Sequence, residues 1–255
     1  GISLKTAWSL MQENNVVTIP CVTEEGVLEG VITIGDITKS YMNLYDSSII
    51  SKANTKYSNI LDTLEGSIVV GDAEAYFDKG KVLIAAANPD LMENYIEKHD
   101  LVILGNRYES QLCAIEMEAG CIIVCEGAGV SLTIRKLAQE RGCTVITTPY
   151  DTYTTARLIN QSMPISYFMT MENIIGFSDE DPIDDIRDIM ANKRHRDFPI
   201  LDSDGKYLGM ISRRNLLGAK GKHIILVDHN ERTQAVEGIE TADIREIIDH
   251  HRLGA

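Results

Sequence analysis

The chain has 255 residues, room for two or three domains, with 44% hydrophobic and 24% charged residues, an ordinary globular balance. A formal net charge of −14 argues against non-specific nucleic-acid binding, but a local arginine cluster can still hold a small phosphate ligand. No apolar run approaches the roughly 20 residues that span a membrane, and the five cysteines form no CxxC pair, as befits buried, reduced thiols of a cytoplasmic protein.

Residues 3–14 carry Leu4, Ala7, Leu10 and Met11 at helical spacing. Residues 16–34 read as a hairpin, 36–44 as a closing helix, and the polar stretch 45–56 as a linker. From 57 to 164 the pattern changes. Short apolar runs at 67–70, 81–86, 101–104, 122–124 and 143–147 predict strands. The stretches 91–98, 109–118, 130–140 and 152–160 predict helices. This order predicts a parallel sheet covered by helices. The turn Glu126-Gly-Ala-Gly129 suits a tight strand-to-helix turn or a phosphate cradle, but lacks the full GxGxxG pattern and any P-loop lysine.

The stretch 165–217 then repeats the beginning of the chain. Pro20 and Pro199 lie 179 positions apart. The same offset places Gly26 on Gly205, Gly30 on Gly209, Thr33 on Ser212, Asp36 on Asn215 and Ile37 on Leu216. Upstream, Leu4, Ala7, Leu10 and Met11 fall on Ile183, Ile186, Ile189 and Met190. Two copies of one unit imply a pseudo-symmetric module. The predicted elements of the second copy are a helix over 183–193, strands over 198–201 and 207–212, and a helix from about Arg213. Thr33-x-x-Asp36 and Ser212-x-x-Asn215 fall where a strand meets a helix N-terminus. They suit a capping box, and equally a ribose diol with a phosphate beside it.

The duplicated run at 30–37 and 209–216 resembles the CBS domain, whose pairs form Bateman modules and commonly bind adenosine nucleotides. The resemblance implies that Thr33 or Ser212 contacts phosphate and that Asp36 or Asn215 holds ribose hydroxyls. Asn215 stands where the family has Asp, so its bond to a diol lacks charge assistance. Arg194, Arg196, Arg213 and Arg214 bracket one edge of the second copy. They read as a solvated basic face, or with Arg196 and Arg213 as forks for polyphosphate oxygens. Tyr207 reads as a core or surface aromatic, or as a base-stacking group. The stretches 105–129 and 147–159 resemble the DRTGG domain, which occurs between CBS copies and is assigned a structural or dimerisation role.

Four of the six histidines lie in 223–252. Residues 224–227 predict a strand with Asp228 at its C-terminal end, and 241–248 a helix bearing Ile244, Ile247 and Ile248. Asp249, His250 and His251 follow. Asp plus His is a donor set for Mn²⁺, Co²⁺ or Mg²⁺ acting on a phosphate substrate. The runs VDHNE at 227–231 and IIDHHR at 247–252 resemble the DHH phosphoesterases, closest to family II, manganese-dependent inorganic pyrophosphatases. That resemblance implies Asp228 and His250 as metal ligands, with His251 and Arg252 near phosphate. It also implies a CBS–DRTGG–CBS insert ahead of the second motif.

The expected fold is therefore α/β. An α+β CBS pair (1–50 and 165–219) forms a Bateman module with an inserted α/β DRTGG-like domain (57–164) and a partial α/β DHH domain (222–255). The first catalytic motif and later metal ligands are missing, so the chain is expected to be a catalytically inactive piece of a longer enzyme. The expected ligands are AMP, ADP, ATP or a diadenosine polyphosphate, bound between the copies, with neither nucleic acid nor membrane as partner. A homodimer is expected on the resemblance alone. The rival readings are a DHH-type nuclease or oligonucleotide phosphoesterase, and a CBS dimerisation scaffold without a ligand.

Overall fold

The computed structural model describes residues 1–42, 46–217, 223–228, 239 and 242–248. They fall into two compact units, Gly1–Ile174 and Ile175–Ala255.

The first unit begins with α1 (Leu4–Asn14), capped by the Ser3 hydroxyl on the Thr6 amide and closed by Asn15 in the left-handed region. Leu4, Ala7 and Met11 form its buried stripe. Strands β1 (Thr18–Val22) and β2 (Leu28–Thr33) pair antiparallel, with a bulge at Cys21/Val22 and a turn closed by Gly26 at φ +85°. Helix α2 (Ile34–Met42) follows and buries Ile37.

Beyond it the polar stretch is not a linker. It contains α3 (Ile49–Lys52), which buries Ile49 and Ile50, and β3 (Thr55–Lys56), whose Thr55 hydroxyl donates to the Ile50 carbonyl at 2.7 Å. One Ile-Ile pair among polar residues has no periodicity to read. It is buried by residues far away in sequence.

Next come α4 (Tyr57–Thr63), β4 (Ser67–Val70), β5 (Tyr76–Phe77, paired with β3), β6 (Val82–Ile84) and α5 (Pro89–Met92). The helix predicted over 91–98 is thus a single turn. Downstream of it the buried Asp100 carboxylate accepts from the amides of Lys81 and Glu97, both at 2.9 Å, and so turns the chain into the next strand. Then follow β7 (Leu101–Leu104), α6 (Tyr108–Glu116), β8 (Cys121–Val124), α7 (Leu132–Arg141), β9 (Thr144–Thr147) and α8 (Thr152–Leu158).

The five-stranded sheet has the order β4-β9-β8-β7-β6, parallel except for β4, which runs antiparallel to β9. Its three inner strands, β9, β8 and β7, are buried on both faces, as continuous apolar runs predict. Val102, Leu104, Ile122, Val124 and Val145 pack with Ile115, Ile134 and other residues of one cluster. Leu101, Ile103, Cys121, Ile123 and Ile146 belong to another that also contains Leu4, Ala7, Met11, Ile32 and Ile37. The first copy and the inserted sheet therefore share one core. A late segment closes it. Thr170 exchanges two 2.9 Å backbone bonds with Val31, and Leu4 donates to the Met163 carbonyl.

The second unit contains β10 (Phe177–Ser178), α9 (Ile183–Ala191), β11 (Asp197–Leu201), β12 (Tyr207–Ser212) and α10 (Arg213–Leu217). Its hairpin reproduces the first copy's register, with Pro199 opposite Met210 as Pro20 is opposite Val31. It has the equivalent bulge at Ile200/Leu201 and the equivalent glycine, Gly205, at φ +77°. The core is Phe177, Ile186, Met190, Phe198 and Leu216.

Last come β13 (His223–Val227) and β14 (Asp243–Ile248), paired in parallel. The helix expected over 241–248 is thus a strand. Ile244, Ile247 and Ile248 fit helical spacing, but their β-branched side chains also suit a strand, and pairing with the apolar β13 decides between the two. Among the described residues no helix is long and apolar enough to cross a membrane.

Candidate functional site

In the first copy the Thr33 amide and hydroxyl both donate to Asp36 Oδ2, at 2.9 and 2.7 Å, and the Asp36 amide donates back to Thr33 Oγ1 at 3.2 Å. In the second, the Ser212 amide and hydroxyl donate to Asn215 Oδ1 at 2.9 and 2.7 Å. Both pairs are thus locked to each other as helix-start motifs. Asn215 reproduces the acceptor geometry of Asp36 without its charge.

Around the second lock lies a cavity of about 230 Å³ lined by Arg194, His195, Arg196, Asp197, Ser212, Arg213 and Arg214. Elements distant in sequence build it. The loop after α9 brings 194–196, and the end of β12 brings Ser212. Arg196, Ser212 and Arg213 are therefore brought together. Tyr207 is not among the lining residues. It opens β12 while Ser212 ends it, about 16 Å apart at the usual rise per residue. Tyr207 is half-buried, and burial pushes its phenol upward. Arg194 and Arg214 stood in the sequence as part of a basic bracket without assigned roles. His195 and Asp197 were missed, although the unbroken run Arg194-His195-Arg196-Asp197 was their signal.

A larger space of about 460 Å³ lies against Val69–Gly71 and Gly142–Thr144, but no charged side chain lines it. The Glu126–Gly129 turn is a tight turn. Glu126 and Gly127 adopt φ +62° and +63°, and their amides donate to the Tyr150 and Thr148 carbonyls at 2.8 Å, so they do not face a phosphate.

Asp228 follows β13 at φ +65°, and its amide donates to the Ile248 carbonyl at 2.8 Å. His250, His251 and Arg252 lie outside the described residues. Among the described residues no three His, Cys, Asp or Glu side chains gather to hold a metal ion.

Two domain families account for this arrangement. The DRTGG domain matches residues 59–162, and the CBS domain matches residues 1–43 and 166–222. Cobalt-dependent inorganic pyrophosphatase of Clostridium perfringens is 39% identical over 252 residues, which is 99% of this chain and 46% of that protein. A probable manganese-dependent inorganic pyrophosphatase of Thermotoga maritima is 31% identical over 245 residues, covering 96% of this chain and 44% of that one. A crystal structure of the CBS and DRTGG domains of the C. perfringens pyrophosphatase regulatory region, complexed with the activator diadenosine tetraphosphate, matches with a TM-score of 0.79. The identity is 36%, over 83% of this chain and 92% of that one. The chain belongs to this family of CBS- and DRTGG-containing pyrophosphatase regulatory regions. It spans about half the length of the curated relatives it matches.

Proposed function

We propose that this chain is the adenine-nucleotide-sensing region of an inorganic pyrophosphatase. The longer protein hydrolyses diphosphate to two phosphates with Mn²⁺, Co²⁺ or Mg²⁺, and this region alone has no turnover. Asp228 and His250 serve as metal ligands in the complete site, with His251 and Arg252 beside phosphate. AMP, ADP, ATP or a diadenosine polyphosphate binds the CBS copies and sets the hydrolysis rate. The region works as a homodimer in the cytoplasm, and five unpaired cysteines are in keeping with that compartment.

The observation that carries the reading is the arginine-lined cavity beside Ser212. It is a phosphate-sized, cationic recess on a strongly acidic protein. The nucleotide held by the C. perfringens region supports it. Isothermal titration of this chain with AMP, ADP, ATP and diadenosine tetraphosphate tests it. Micromolar binding, weakened by Arg196→Ala, is expected. Binding to none of them sinks the reading. Steady turnover of diphosphate by this chain with Mn²⁺ removes the claim of inactivity. The scaffold alternative has one observation in its favour: Thr33–Asp36 and Ser212–Asn215 are satisfied without any ligand.

A further inference from the structure

Arg213 faces two environments. It lines the basic cavity, and its Nη2 also donates to the backbone carbonyl of Met190 at 2.6 Å and to that of Lys193. These acceptors lie in the last turn of α9 and just beyond it, where a helix leaves carbonyls without intrahelical donors. The Met190 carbonyl also takes the Lys193 amide at 3.3 Å, so one oxygen ties the chain and the guanidinium together. The residues after Lys193 are Arg194, His195 and Arg196, three of the cavity's lining groups. The clamp therefore fixes the root of the segment that delivers two of the cavity's four arginines.

The groups left to meet an anion follow by subtraction. The Ser212 hydroxyl spends its single hydrogen on Asn215. Arg213 commits Nη2 to α9 and keeps Nε and Nη1. Arg194, Arg196 and Arg214 keep all their donors, beside His195 and the single opposing carboxylate of Asp197. About 230 Å³ is below the roughly 300–1,000 Å³ of sites that enclose a whole small molecule. It fits the anionic portion of a ligand. Four guanidiniums share this space with one carboxylate, Asp197, so its net charge is positive.

We infer that Arg213 is a positioning residue. By capping α9 it presents Arg194 and Arg196, which together with Arg214 grip a polyphosphate chain. The inference rests on the nucleotide reading and assigns the phosphate end of that ligand to this cavity.

The test is titration of the chain with inorganic tripolyphosphate and with AMP, beside amide hydrogen exchange at Asn192–Arg196 in the ligand-free protein. Arg196→Ala and Arg214→Ala are expected to weaken tripolyphosphate binding by about tenfold or more, leaving exchange unchanged. Arg213→Ala is expected to weaken binding similarly and to speed exchange. Arg213→Lys keeps the charge but loses the planar fork, and is expected to restore neither. Loss of affinity in Arg213→Ala with unchanged exchange makes Arg213 a direct ligand and overturns the inference. Faster exchange with full affinity makes the clamp merely structural, and also overturns it. AMP binding without tripolyphosphate binding overturns the phosphate-end assignment and leaves the nucleotide reading standing, whereas binding of neither sinks both.

Discussion

The two CBS copies share one local code and meet different surroundings. Helix, bulged hairpin, glycine turn and helix-start lock repeat at constant offset, with identical register. Yet Gly30 is jammed and its counterpart Gly209 is not. A Cβ on Gly30 would meet the Thr170 carbonyl at 2.9 Å and Met169 Sδ at 3.0 Å, whereas nothing lies within 4 Å of one on Gly209. The first copy shares its core with the inserted sheet, while the second has a small cluster of its own. The repeat thus specifies hairpins, but sequence outside it decides what each hairpin supports.

The comparison can be broken at several points. The largest expected effect is Phe198→Ala, at about 3–5 kcal/mol, because Phe198 is nearly fully enclosed in a five-residue cluster. Hydrogen exchange should then show 177–217 losing protection while 101–147 keeps it. Loosening of both would end the claim of separate cores. In Ile32→Ala, by contrast, protection should fall in the first hairpin and in the sheet together, at about 2–5 kcal/mol.

Next is the glycine pair. Gly30→Ala should cost about 1–3 kcal/mol through overpacking, and Gly209→Ala should stay within about 0.5 kcal/mol. Thermal unfolding separates them, and equal losses would mean that the repeat itself requires both glycines. Asp36→Ala and Asn215→Ala should each lower stability by about 1 kcal/mol as lost helix-start acceptors. A clear inequality in denaturant melts would show that the missing charge of Asn215 matters to folding.

A last effect is alkaline. Burial pushes the Cys143 thiol up from 9.0 to about 12, and burial raises Cys121 as well. A raised folded value stabilises below the unfolded one, so this contribution fades as pH rises from about 9 towards 12. It belongs to the first unit, because residues 175–255 contain no cysteine. Below pH 10, unfolding of the second unit should lack this slope.

Much of this was legible in sequence because it is local. The hairpins, α1, α9 and the strands of the inserted sheet follow from periodicity and turn residues. What was missed depends on distant partners. Ile49 and Ile50 are buried by residues far along the chain, and β14 becomes a strand through β13. At the site, Ser212 and Asn215 could be paired by spacing. The attachment of Arg213 to Met190 and Lys193 could not, because it joins elements about twenty residues apart.

The bridge between Val31 and Thr170 has a bearing on biosynthesis. A hairpin made early is completed only by a segment emerging about 140 residues later, a delay on the order of ten seconds at roughly 5–20 residues per second. Until then the rim of β2 is an unpaired template for stray strands. The strands of the inserted sheet, between residues 67 and 147, emerge in that interval, so this edge stays open while they do.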